Sequence, residues 1–373
     1  MELWVTGYGG VIKNCKVSNI EKIKAPEAGA NGIAACSGTI ESCTVENVNE
    51  IYGSREVSGI GNLCKIITDC TIENSNITGK LNIGGIEGIT INNESLKNNI
   101  VRNCKIEKIS GNDGNIGGII GSFYGNTSEV ENWFNNNNVY DTEVIMNDSR
   151  VSFCKIGGLI GYNGERYDIK NSTANNVNIV VKKPQSVTGT LATPSFNELG
   201  TNFVVGGVVG LANGNVDNCS FINSSITSEL DSFFGMGGIV GVGRDKEISN
   251  CTVDNSTIKG DSGIGGICSV ASQKITNCEF KNSTIEATGD YIGGIQGIAG
   301  AKTESANWAT EMNGCKVTSS TIKAPISTDK DDEHYILQGK NSYYTSESTV
   351  EDADKKYDTF TNCTVTDVTR IEK

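Results

Sequence analysis

The chain has 373 residues, 37% of them hydrophobic, with 45 Gly, 42 Asn and 13 Cys against only 4 Pro. That apolar content can fill a core, which excludes wholesale disorder, and the scarcity of Pro excludes collagen and proline-rich linkers. A net charge of −13 argues against a nucleic-acid groove, and no apolar run approaches the roughly 18 residues of a membrane helix.

Met1 is followed by Glu2, Leu3 and Trp4, with no basic region or long apolar run, so no signal peptide is expected in this chain. From Ile12 onward the sequence repeats. Its clearest copies are VDNCSFINSSI (216 to 226), ISNCTVDNSTI (248 to 258) and ITNCEFKNSTI (275 to 285). With the Cys numbered zero, apolar residues fall at −3, +2 and +7, and a small polar residue, usually Asn, falls at +4. In chain order the zero position takes Cys15, Cys43, Cys70, Cys104, Asn137, Ser172, Cys219, Cys251, Cys278, Cys315 and Cys363. The −3 residues run from Ile12 and Ile40 through Val101, assigned with Cys104, to Met312 and Phe360, and none is polar.

A second block alternates with the first: GIAAC (32 to 36), GIGNL (59 to 63), GGIEG (84 to 88), GGIIG (117 to 121), GGLIG (157 to 161), GGVVG (206 to 210), GGIVG (237 to 241), GGICS (265 to 269) and GGIQG (293 to 297). ILQG at 336 to 339 is a degenerate tenth. The mean period is about 35 residues, with 27 or 28 in the tightest turns. Helical repeats of that length need helix-forming runs. Here the segments are Ile, Val, Thr, Asn and Gly, alternating over a few residues and then broken. Two or three such strands per repeat, without hairpin dipeptides, predict an all-β, right-handed parallel β-helix of ten to eleven coils. At ~4.8 Å per coil this is a rod on the order of 50 Å. Its interior should carry aliphatic columns, a Cys ladder and inward Asn side chains bonded from coil to coil. Residues 1–373 read as a single domain with insertions near 122–138, 181–205 and 323–359.

At GGLIG, GGVVG and GGIVG the chain resembles the GLUG-motif repeats of bacterial surface adhesins, autotransporter-like proteins and the non-catalytic region of some IgA-cleaving metallopeptidases. The resemblance covers nearly the whole chain as a structural repeat. It implies an extracellular β-helical stalk or adhesin on a bacterial surface, and it carries over no catalytic residue.

The nine ladder cysteines, Cys15, Cys43, Cys70, Cys104, Cys219, Cys251, Cys278, Cys315 and Cys363, read as buried free thiols. No CxxC occurs, and the spacings fit no zinc module. Cys36, Cys64, Cys154 and Cys268 fall outside that ladder, with Cys268 expected to be shielded. The single His excludes an HExxH zinc site, and the GHG segment of polygalacturonase-like β-helices is missing. No enzyme activity, cofactor or metal site is therefore expected. His334 and the acidic residues Asp329, Asp331, Asp332 and Glu333 read as a solvated loop, without the Gly and Glu that an EF-hand requires.

Binding groups are expected on the irregular loops of a regular scaffold. The candidates are Tyr124 and Trp133 in the first insertion and Tyr335, Tyr343 and Tyr344 in the third, with Phe134 reserved for the core. Their rings suit stacking on a sugar, and packing of each loop onto the rod is the competing reading. The expected function is a non-enzymatic adhesin or stalk that binds a glycan or host protein. The alternatives are a polysaccharide-processing β-helix enzyme and a structural protein that assembles end to end. With core residues beginning at Ile12 and ending near Cys363, bare terminal coils predict either a segment of a longer protein or head-to-tail stacking.

Overall fold

Asparagine sets the local geometry. Each coil is interrupted by residues in the left-handed region, which Asn and Asp tolerate better than other side-chain-bearing residues. Among the described residues, twenty of the twenty-four non-glycine residues with positive φ are Asn or Asp. They recur at −1 (Asn218 at 51°, Asn250 at 52°, Asn277 at 51°) and at +4 (Asn223 at 51°, Asn255 at 48°, Asn282 at 49°). Strands between them are therefore short, as in Thr252–Asp254 and Thr257–Gly260.

The computed structural model describes residues 9–35, 38–91, 93–109, 114–125, 132–147, 154–164, 167–182, 203–230, 235–244, 246–270, 274–289, 291–298, 310–325, 336–337 and 359–372. It is a parallel β-helix. Eleven strands, from Val11–Lys13 to Thr359–Thr361, stack in one sheet, and their central residues form an unbroken inward column. That column runs Ile12, Ile40, Ile67, Leu96, Phe134, Ile169, Val216, Ile248, Ile275, Met312, Phe360. A second column, at +2, includes Val45, Ile72, Val101, Val139 and Ala174. A third includes Ile77, Ile106, Val144, Ile179 and Ile226, and reaches Arg370 in the last coil. The sheets carrying these two columns are adjacent faces joined around a corner, because Lys16–Ala25, Thr44–Gly53, Asn138–Met146 and Thr173–Val181 run through both.

The glycine blocks close the coil. Nine strands, from Ala30–Asn31 to Ile292–Gly293, stack in a further sheet, followed by six from Glu87–Thr90 to Cys268–Val270. Coils approach so closely here that a Cβ at Gly158 would collide with the carbonyl of Gly207. Ile336 and Leu337 continue the stack, accepting from the N–H groups of Gly294 and Ile295, so the first two residues of the degenerate tenth block take the place of Gly294 and Ile295 in the next coil.

Two expectations are corrected. In the fourth copy the zero position belongs to Asn99, not Cys104. Leu96 pairs with Ile67 and Val101 with Ile72, which moves Cys104 to +5 beside Ser75 and Thr142. The motif repeats itself every five residues: apolar at −3, +2 and +7, left-handed at −1 and +4, and small at 0 and, in most coils, at +5. The template can thus match one strand out of phase.

The left-handed Asn side chains also point outward rather than inward. Asn47 Nδ2 donates to Asn19 Oδ1 at 3.2 Å, Asn74 to Asn47 at 3.1 Å and Asn103 to Asn74 at 2.8 Å, all on exposed edges. A fully buried Asn pair is found where Asn99 Nδ2 donates to Asn137 Oδ1 at 3.0 Å, and the buried Asn62 donates to the half-buried Asn31 beside the glycine blocks.

Ser, Thr and Cys side chains at 0 and +5 satisfy the interior of the corners, accepting from a backbone N–H one coil back and donating to the carbonyl two residues before themselves, while Asn99 and Asn137 donate to Ile67 O and Leu96 O of the preceding coil. Asn137 N reaches Ser172 Oγ at 3.1 Å, and Ser172 Oγ reaches Lys170 O at 2.7 Å. Cys15 N approaches Cys43 Sγ at 3.4 Å, and Cys43 Sγ approaches Glu41 O at 3.4 Å. The nine ladder cysteines form no disulfide, and Cys43, Cys70, Cys104, Cys219, Cys251, Cys278 and Cys315 are buried. Cys15 is exposed and Cys363 half-buried, which corrects their interior placement. Cys64, Cys154 and Cys268 are buried too. No helix of the described residues is long and apolar enough to cross a membrane.

Candidate functional site

The sheet that follows the glycine blocks carries the surface aromatics. Its strand Ile120–Phe123 pairs with Ile160–Asn163, with Ser122 opposite Tyr162 and Phe123 opposite Asn163. Inward and outward side chains alternate there, so Phe123 enters the core while Tyr124 and Tyr162 face out. Tyr124 is anchored by its N–H to Thr90 O at 2.9 Å, and the next coil by Gly164 N to Phe123 O at 2.9 Å.

The two tyrosine rings lie 5.2 Å apart between centroids, tilted by 52°. Tyr124 is 42% exposed, and Ile91, its counterpart one coil earlier, is 50% exposed. Lys155 Nζ sits 5.8 Å from the centroid of Tyr162. Gly164 leaves the space that Tyr162 uses: a Cβ there would stand 2.6 Å from Tyr162 Cε1 and 2.9 Å from Phe123 O. Tyr124 and Tyr162 thus meet at the surface, with Ile91 in register one coil away and the buried Lys155 close to the Tyr162 ring.

Tyr162 also borders a satellite apolar cluster outside the main core, made of Val204, Leu211, Val242, Val270 and Ile298. Leu211, Val242 and Val270 follow Tyr162 in register, one per coil. The aromatic surface is thus the place where this column emerges toward solvent.

Of the expected binding residues, Tyr124 is exposed as anticipated, and Trp133 is not available. Its ring is buried, stacked on Phe123 at 4.1 Å and 23° and edge-on to Tyr167 at 5.8 Å, with Phe134 at 5.5 Å. Those rings come from different coils, and together they fill a wide section of the core that aliphatic side chains would leave hollow. Tyr335, Tyr343 and Tyr344 lie outside the described residues, as do His334 and the acidic run. Tyr162 and Ile91 were missed, because both continue a regular strand beside a glycine block. The available signal was an apolar residue recurring at the outward position, in Tyr162, Leu211, Val242 and Val270.

One buried carboxyl lies in the same sheet. Glu87 accepts from Cys64 N at 3.1 Å and from Asn93 Nδ2 at 3.0 Å. Burial nevertheless outweighs these bonds and pushes its pKa up to about 8. The group staples a bend, and Ile120 in the next coil takes its inward position. Among the described residues no three His, Cys, Asp or Glu side chains are grouped to hold a metal ion. No protein-family model matches the chain, and no curated protein matches it in sequence.

Proposed function

We propose that this chain is a non-enzymatic β-helical stalk of a bacterial surface adhesin and that it binds a glycan on the surface formed by Ile91, Tyr124 and Tyr162. The observation that carries the reading is the tilted pair of the exposed Tyr124 and the half-buried Tyr162, Tyr162 within a paired strand and Tyr124 just past the end of one, tied by its N–H to Thr90 O. A tyrosine ring offers an apolar face to the C–H face of a sugar, and its hydroxyl offers a hydrogen bond at the rim. A rigid platform orders few side chains on binding, which favours recognition of a weakly held ligand. The surface assignment to an adhesin rests on the GGIxG blocks and their resemblance to GLUG repeats.

A glycan array followed by calorimetry on the strongest hit tests the reading. Tyr124→Ala should weaken that hit roughly tenfold, as loss of an aromatic anchor does, with an unchanged melting temperature. Undiminished binding by Tyr124→Ala and by Tyr162→Ala would remove the site.

A further inference from the structure

The thiol ladder does not end as it runs. Cys219, Cys251, Cys278, Cys315 and Cys363 occupy the zero position of five successive coils, and the first four are buried while Cys363 is half-buried. Asn313 pairs with Thr361 and Lys316 with Thr364, so Cys363 lies directly over Cys315. Thr364 N donates to Cys315 O at 2.9 Å, fixing the two coils at one strand step. That step of ~4.8 Å falls within the Cα separation a disulfide spans.

We propose that Cys363 and Cys315 form a thiol–disulfide exchange site, with Cys363 as the attacking thiol and Cys315 as the resolving one, oxidised by a small-molecule disulfide of the glutathione type. The Cys363 thiolate attacks one sulfur of that disulfide, whose S–S bond breaks and releases one thiolate. Cys315 then gives up its proton to solvent and attacks Cys363 Sγ, expelling the second small thiol. Two protein thiols are oxidised, one small disulfide is reduced to two thiols, and no other co-reactant is needed. The product ties the coil of Glu311–Ala324 to that of Thr359–Glu372.

The environment separates the two roles. Hydrogen bonding from the Cys315 side chain, and then from nearby backbone, holds the Cys363 thiol well below the ordinary thiol range despite partial burial. The same contact, followed by burial, pushes Cys315 up. Cys363 Sγ also lies 3.6 Å from the carbonyls of Met312 and Thr361, distances at which a thiol donates weakly and opposes ionisation little. Cys219 and Cys251 are raised chiefly by burial, and both are buried in the core. Cys15 over Cys43 repeats the stacking at the first coil, so mapping must distinguish the two pairs.

The test treats the natively folded, reduced chain with glutathione disulfide, quenches with acid, alkylates, and maps peptides by mass spectrometry. The wild type should form a Cys315–Cys363 disulfide without retaining glutathione. Cys315→Ser should instead hold one glutathione on Cys363, and Cys363→Ser should leave Cys315 reduced. Circular dichroism confirms that each variant is folded. As a measurement independent of variants, native iodoacetamide labelling of Cys363 should exceed that of Cys251 and Cys278 by at least roughly tenfold at neutral pH. An unreactive Cys363 in the folded wild type, a glutathione adduct on Cys363 that Cys315 never displaces, or a disulfide confined to Cys15–Cys43 overturns the proposal.

Discussion

The backbone N–H of Ser256 donates to Ser283 Oγ, one coil away, at 3.0 Å. Ser283 Oγ in turn donates to Lys281 O at 2.6 Å, and Ser283 N passes the pattern to Ser320 Oγ at 3.2 Å. One hydroxyl thus satisfies a donor and an acceptor at a corner where the strand ladder is broken. Cys104 and Thr142 make the same pair of bonds in their own coils, whereas Val48 and Val177 hold the equivalent place in coils where one strand runs on through the corner.

Ser283→Ala should therefore destabilise the fold by about 1–3 kcal/mol, because it leaves the buried N–H of Ser256 without an acceptor. Ser283→Cys, which retains a weaker donor and acceptor, should lose less. Denaturant unfolding of both variants checks the order, and an Ala variant as stable as the Cys variant would remove the hydrogen-bond explanation.

The interior thiols should resist labelling until the chain unfolds. Burial pushes Cys70 and Cys104 up to about 12, so at pH 8 the thiolate fraction is on the order of one in ten thousand. Thiol titration of the native chain should be slow for Cys70, Cys104, Cys219, Cys251 and Cys278 and complete only in denaturant. Cys251→Asp should be severely destabilising, since it buries a charge without a partner. Rapid native labelling of these residues would place them outside the core.

Glu87 should make stability fall as pH rises. Its pKa is about 8 in the folded chain, against 4.5 for an unperturbed carboxyl. Between those values the folded state keeps a proton that the unfolded state has released, so each unit of pH costs up to about 1.4 kcal/mol. The loss begins near pH 4.5 and levels off above pH 8. Glu87→Gln should remove most of this slope, visible as a smaller drop in melting temperature between pH 5 and pH 8. Parallel pH profiles for wild type and variant would show that Glu87 ionises freely in the fold.

Trp133 carries its weight through its ring. Among the described residues its Nε1 has no hydrogen-bond partner, while its face is stacked on Phe123. Trp133→Phe should cost little, because it keeps an aromatic ring and removes an unsatisfied donor. Trp133→Ala should cost about 3–5 kcal/mol through the cavity it leaves. Thermal unfolding separates the two, and similar losses for both would point to a role for the indole nitrogen.

The repeat, the alternating apolar positions and the scarcity of Pro were sufficient to read a stacked parallel solenoid from the sequence. In such a fold each coil places like residues over like residues, so Ile248 over Val216 and Val253 over Phe221 follow from alignment alone. The phase of the fourth coil did not follow. Both Leu96 with Asn99 and Val101 with Cys104 match the local five-residue pattern, and only pairing of Leu96 with Ile67 and Phe134 on either side selects the first.

The direction of the Asn side chains was likewise hidden, because a left-handed corner residue points outward only once the neighbouring 0 or +5 side chain has filled the inside. Trp133 looked like a loop aromatic until Phe123 and Tyr167, distant in sequence, closed around it. Conversely, Tyr162 looked like one more strand residue until Tyr124 from the preceding coil met it at the surface. Period and residue type are local properties and can be read along the chain. Phase, side-chain direction and exposure depend on which coil lies above and below, and that is decided only when the coils stack.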